Sequence, residues 1–218
     1  MEELLWIIES NKTINYMLKH CPYNILSKME LLHVKGKKFY LSQGSTYPSV
    51  YIIVSGKLKI FVSEENGRQI LLDIYEEGNL IGEQEAFLNT SYSASVESLT
   101  DCLLIKIPNN YFLEWINLDK HFNQQLIQSL CEQMYELTNR AAKYSLSSVK
   151  EQVITTIIDL EETHEIIDKK LVVESVSATP RSVYRILNEL ERLSLIRVNP
   201  KSISIIKKEK LLIERKKV

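Results

Sequence analysis

The sequence predicts an α+β protein in three parts: an N-terminal β-roll over residues 1–110, a long dimerisation helix over 111–144, and a C-terminal winged helix-turn-helix over 145–218. Three observations carry that expectation. Between Lys37 and Ile107, short β-branched and aromatic runs alternate with turn residues. After Pro108 the apolar period changes from two residues to a heptad. Beyond Asp168, two capped helical stretches lead into a hairpin-like tail.

Composition sets the frame. With 44% hydrophobic and 25% charged residues, the chain has the make-up of an ordinary globular protein rather than a disordered one. Two acids, Glu2 and Glu3, stand where a secretory signal would carry basic residues. No apolar run approaches the roughly 18 residues that a membrane span needs, so a cytoplasmic protein without a membrane partner is expected. Cys21, Cys102 and Cys131 are odd in number and far apart, which argues for free thiols rather than disulfides or a CxxC site. His20, His33, His121 and His164 lack metal-ligand spacing, so no metal is expected. Charge is uneven: residues 1–144 carry 13 basic against 17 acidic side chains, a net of −4, whereas residues 145–218 carry 14 against 11, a net of +3. A basic rear on an acidic front fits a phosphate-binding module joined to something else.

In the roll, Gly44, Gly56, the Asn66-Gly67 tip and Gly78 punctuate the runs, and Asn66-Gly67 reads as the turn of a hairpin. Alternation from Lys57 to Val62 turns one face inward. Further on, Ile127, Leu130, Met134, Leu137, Ala141 and Tyr144 recur at spacings of three and four, a heptad seam suited to pairing two copies of the chain. The alternative is a helix buried within its own chain. Phe112, Trp115, Phe122 and Leu126 form an earlier strip that would pack back onto the roll, and one helix doing both jobs is the simplest account. Ser145 to Ser148 lowers helix propensity and reads as a hinge before a helix over 149–163.

Asp168 is placed to cap a short helix from Lys169 to Val176, and Ser177-Ala178-Thr179 makes a turn. Thr179 caps the next helix, with Pro180 at its first position, where the missing N–H costs nothing. With Val183, Ile186, Leu187 and Leu190 directed to the core, that helix presents Arg181, Ser182, Tyr184, Arg185 and Asn188. Arginine offers a bidentate fork for guanine, and Asn or Tyr adds hydrogen bonds or contacts a thymine methyl. Thr179, Ser182 and Lys201, the last in the turn of the tail, suit phosphates. Double-stranded DNA is therefore the expected partner, bound by a homodimer.

These residues resemble the CRP/FNR superfamily of transcriptional regulators over nearly the whole chain. Gly44, Tyr51, Ile53 and Gly56 are similar to the family's glycine-and-aromatic spacing, and Gly78 to Glu83 resemble its GDxxGE segment with Asn79 in place of Asp. Ala178 to Leu187 resemble its recognition helix. The resemblance implies a jelly-roll, or double-stranded β-helix, of the cyclic-nucleotide-binding type, no catalytic activity, and RNA polymerase as a further partner. It also implies that Arg185 contacts a base and that Ser182 stands for the family's Thr. Pro180 departs from the pattern, where an Arg is usual, so Arg181 is expected to reach a neighbouring base. Little room remains before the helix-turn-helix for the β-hairpin that many members carry.

The effector pocket implied by the resemblance comprises Gly82, Glu83, Tyr92 and Ser93. Members that bind cyclic nucleotides hold the phosphate with an Arg where this chain has Tyr92, and a semi-buried anion without a cation is costly. Glu85 adds repulsion, so cAMP is not expected. An iron–sulfur cluster is not expected either, because the family's N-terminal cysteine cluster is reduced to Cys21. A single His or Cys would suffice for haem, and nothing selects it. An enzyme on the roll would need a His or carboxylate cluster, yet residues 37–107 contain no histidine. The rival reading is a ligand-sensing module whose winged helix docks a protein partner instead of DNA.

Overall fold

The computed structural model describes residues 1–64, 69–163, 166–176 and 178–215, with side chains except those of 142–146 and 163. The Asn66-Gly67 tip, His164 and Ser177 lie outside the described residues, as does the side chain of Tyr144. The chain divides into two compact units, one of residues 1–68 and 72–133, the other of residues 69–71 and 134–218.

The first unit opens on α1 (Glu2–Ser10), α2 (Lys12–Leu18) and α3 (Tyr23–Leu26), within the stretch expected to be roll. Glu2 and Glu3 favour the first turn of α1, and the Asn11 side chain caps α2 by accepting from the Ile14 amide. Strands β1 (Glu30–Val34), β2 (Tyr40–Leu41), β3 (Ser49–Ser55), β4 (Leu58–Ser63), β5 (Gln69–Tyr75) and β6 (Leu80–Ile81) follow, then a short helix α4 (Glu83–Leu88), β7 (Ser95–Ser98) and β8 (Cys102–Pro108). They form two four-stranded sheets in the orders β1-β8-β3-β6 and β2-β7-β4-β5. The expected jelly-roll is this pair.

Strand β3 shows why its sequence is a near-continuous apolar run. Tyr51 and Ile53 point into the roll with Leu58, Leu104, Val96 and Tyr92. Val50, Ile52 and Val54 point the other way, into a cluster with Leu4, Ile7, Ile14 and Ile25 of the opening helices and with Phe112 and Trp115. A strand buried on both faces loses the polar alternation of a half-exposed one. Strand β4 corrects the expectation of a single inward face: Leu58 lines the roll, but Lys59 on the opposite face is also buried, 2% exposed, with its ammonium 3.8 Å from Glu97 and over the Phe61 ring.

Past β8 the expected continuous helix is two, α5 (Asn109–Leu118) and α6 (Lys120–Leu146). Asp119 breaks it. Its backbone is extended, its Oδ1 accepts from the His121 and Phe122 amides, and its Oδ2 accepts from the Trp115 indole. The break lets Trp115 and Phe122 stack at 3.5 Å, with Phe112 edge-on to Phe122. The aromatic strip thus packs into the roll-side core, as the sequence implies, through a capped corner rather than a straight helix.

In the second unit, α7 (Val149–Thr163), β9 (Ile167–Asp168), α8 (Lys169–Ser175), α9 (Pro180–Arg192), β10 (Ile196–Val198), β11 (Ser202–Ile205) and α10 (Lys208–Arg215) enclose a core of their own. The tail is the expected β10-β11 hairpin, extended by β9 into a three-stranded antiparallel sheet. Helix α10 follows it, anchored by the fully buried Leu211. Lys150 ties the unit together through Glu189 at 2.8 Å and Glu214 at 2.7 Å, joining α7, α9 and α10. Among the described residues, no helix is long and apolar enough to cross a membrane.

Candidate nucleic-acid interface and sensor pocket

Helix α9 is set by its first residues. Thr179 is extended, and its hydroxyl accepts from the Ser182 amide at 3.3 Å. Pro180 occupies the first turn, where no intrahelical partner for an N–H exists. Asp168 caps α8 in the same way, accepting from the Lys170 and Leu171 amides. From these starts the period of 3.6 places Val183, Ile186, Leu187 and Leu190 in the core, each at most 6% exposed. Arg181, Tyr184, Arg185 and Asn188 lie exposed on the remaining face, with Ser182 half-buried beside them. The Thr179 and Ser182 hydroxyls sit 2.9 Å apart, so part of their hydrogen-bonding capacity is spent on the cap. Lys201 is exposed in the turn between β10 and β11.

On α6, Ile127, Met134 and Leu137 are 57%, 71% and 62% exposed, and Ala141 is exposed too. A helix buried within its own chain would hide these side chains. Leu130 differs: it is half-buried and packs against the roll-side core. The seam therefore has one position committed to its own chain.

In the roll, the structure brings Gly82, Glu83 and Tyr92 together, and Ser93 joins them through Glu85. Gly82 has φ +88, in the left-handed region, and a Cβ there would lie 2.1 Å from the Tyr92 hydroxyl. Tyr92 is 4% exposed, edge-on to Tyr47 with ring centroids 5.1 Å apart. Its hydroxyl is buried without a hydrogen-bond partner among the described residues. Glu85, expected only to repel, also holds the loop by accepting from the Ser93 amide and hydroxyl, each at 3.3 Å. Burial pushes the Tyr92 phenol well above its usual range, and Glu85, Tyr51 and Glu83 push the same way. Nothing in a linear reading signals the contact between positions 82 and 92, because it is made only when the loop folds over.

Glu83 is 3% exposed. Burial raises its carboxyl from 4.5 to about 7, and Glu85 adds repulsion, against hydrogen bonds from the Glu83 backbone and the Gln84 side chain. A raised folded pKa means that the native state binds the extra proton between those values. The associated stability is full below 4.5 and is lost as pH rises through about 7. Glu83→Gln should remove that slope, worth on the order of 3 kcal/mol across the interval. Urea denaturation of both proteins from acid to neutral pH checks it: the stability difference must grow in favour of Gln as pH rises.

The chain runs from a β-roll through a long helix into a winged helix-turn-helix. Residues 31–119 match the cyclic nucleotide-binding domain family. The chain is 23% identical over 209 residues to the cAMP-activated global transcriptional regulator CRP of Salmonella typhimurium, covering 90% of this chain and 95% of that one. Among solved structures, a CRP/FNR-family transcriptional regulator from Thermus thermophilus superposes with a TM-score of 0.72 at 20% identity, over 86% of this chain and 98% of that one. The c-di-GMP responsive global regulator CLP of Xanthomonas campestris gives 0.73 at 16% identity, over 83% and 95%. Over most of its length the chain is thus similar to transcriptional regulators of the CRP/FNR superfamily. The acidic side chains whose charge bears on the Tyr92 phenol are Glu85 and Glu83.

Proposed function

We propose that the chain binds double-stranded DNA as a homodimer, reading a pseudo-palindromic site with Arg181, Tyr184, Arg185 and Asn188 and gripping phosphates with Thr179, Ser182 and Lys201. The observation that carries this reading is the division of α9 into a buried apolar face and an exposed face with two arginines four residues apart. Such a helix enters a major groove with its N-terminal residues at the base edges. Pairing along Ile127, Leu130, Met134, Leu137, Ala141 and Tyr144 would present two such helices to half-sites about one helical turn apart. Residues 1–110 then act as the sensor, 111–144 as the dimerising segment and 145–218 as the reader. The hinge expected over Ser145 to Ser148 lies where helix α6 ends, at Leu146. A shift there alters the separation of the two readers, which is what RNA polymerase at a promoter would register.

Fluorescence anisotropy of duplexes from a randomised library, at two salt concentrations, tests the reading. Affinity should fall steeply with salt, and Lys201→Ala should weaken all duplexes alike while lowering the slope by about two units, one for each protomer. Binding that ignores salt would instead make α9 a docking surface for a protein.

A further inference from the structure

Position 82 has to lack a side chain for two separate reasons: its φ of +88 and the Tyr92 hydroxyl seated on its backbone, where a Cβ would lie 2.1 Å from the oxygen and 3.1 Å from the ring carbon that bears it. The tyrosine is held on several sides. Its amide donates to the Ser45 carbonyl and its carbonyl accepts from Gly44. Its ring meets Tyr47 edge-on and belongs to the roll's interior cluster with Tyr51, Ile53 and Ile81. Yet its polar end, fully buried, has no hydrogen-bond partner among the described residues. A side chain fixed so firmly with its hydroxyl unpaired is retained for its volume, not for a hydrogen bond. The neighbouring ionisable groups, Glu83 and Glu85, are both acids.

We propose that Tyr92 is a built-in occupant of the sensor pocket: its phenol fills the space over Gly82, and the flanking acids, Glu83 and Glu85, supply no cation to an anion that the phenol does not exclude, so the roll rejects anionic effectors and holds its state without one. The proposal rests on reading the roll as a sensor. Its test follows ligand at the roll rather than DNA, so a failure to bind DNA and a failure of the plug are told apart.

Calorimetric titration of the full chain with cAMP, and with adenosine as the phosphate-free control, reads it directly. Wild type should give no saturable heat up to about 1 mM cAMP. Tyr92→Arg, which removes the phenol and supplies a cation, should bind cAMP at least about tenfold better than wild type and leave adenosine unimproved. Tyr92→Phe keeps the volume, so it should stay closed and melt no lower than wild type. Gly82→Ala should destabilise the roll, and adding Tyr92→Phe should restore part of the loss, because the colliding oxygen is gone. Saturable cAMP binding by wild type overturns the proposal. So does a folded Tyr92→Arg that stays inert, or, if that variant fails to fold, a double variant melting no higher than Gly82→Ala alone.

Discussion

Leu137→Glu is expected to convert a dimer into a monomer. Leu137 is 62% exposed in the single chain and lies on the heptad seam, so two copies pairing along α6 would bring the new carboxylates against each other in a dry interface. An apolar contact is lost and a pair of like charges is buried, a combined penalty of at least about 3 kcal/mol. Sedimentation at micromolar concentration should show half the wild-type mass, and affinity for a two-half-site duplex should fall with it. Tyr135→Glu is the control. Tyr135 is 68% exposed on the same helix but two residues earlier, off the seam, and its dimer should persist. Equal sedimentation of all three proteins would remove the seam from the account.

The second large effect is on specificity. Arg185→Ala should cost about 1–3 kcal/mol per half-site, roughly 5- to 150-fold for each, and should relax one base position in each half-site. Arg185 is exposed, one turn beyond Arg181, and both project from the helix start that Thr179 caps. A phosphate contact at this position would behave otherwise, weakening every sequence alike. Selection of binding sites with wild type and variant separates the two: a uniform loss would reassign Arg185 to the backbone.

Much of this arrangement is legible in the sequence where local rules decide it. The caps at Asp168 and Thr179, the proline at the first helical position and the periodicity of Val183, Ile186, Leu187 and Leu190 need only neighbouring residues, and each appears in the structure as the pattern implies. The apolar run of β3 and the exposure of Ile127, Met134 and Leu137 are legible for the same reason. What is not legible depends on distant partners. Helices α1 to α3 owe their place to the outer face of β3, which no short window reveals. The corner at Asp119 interrupts a stretch without Gly or Pro, and its cause is a carboxylate that caps one helix while holding an indole from the other. Helix α10 is fixed by Leu211 and by the pairing of Glu214 with Lys150, 64 residues away. Tyr92 resembles a substituted ligand residue until the fold sets it on Gly82.

The double burial of β3 has a consequence for how the roll comes apart. Val50, Ile52 and Val54 belong to one cluster and Tyr51 and Ile53 to the other, so neither can be wetted while its neighbour stays dry. The opening helices and the strands are then a single cooperative unfolding unit. In native-state hydrogen exchange, the amides of α1 and α2 should share the opening free energy of β3 rather than fray early as chain ends usually do.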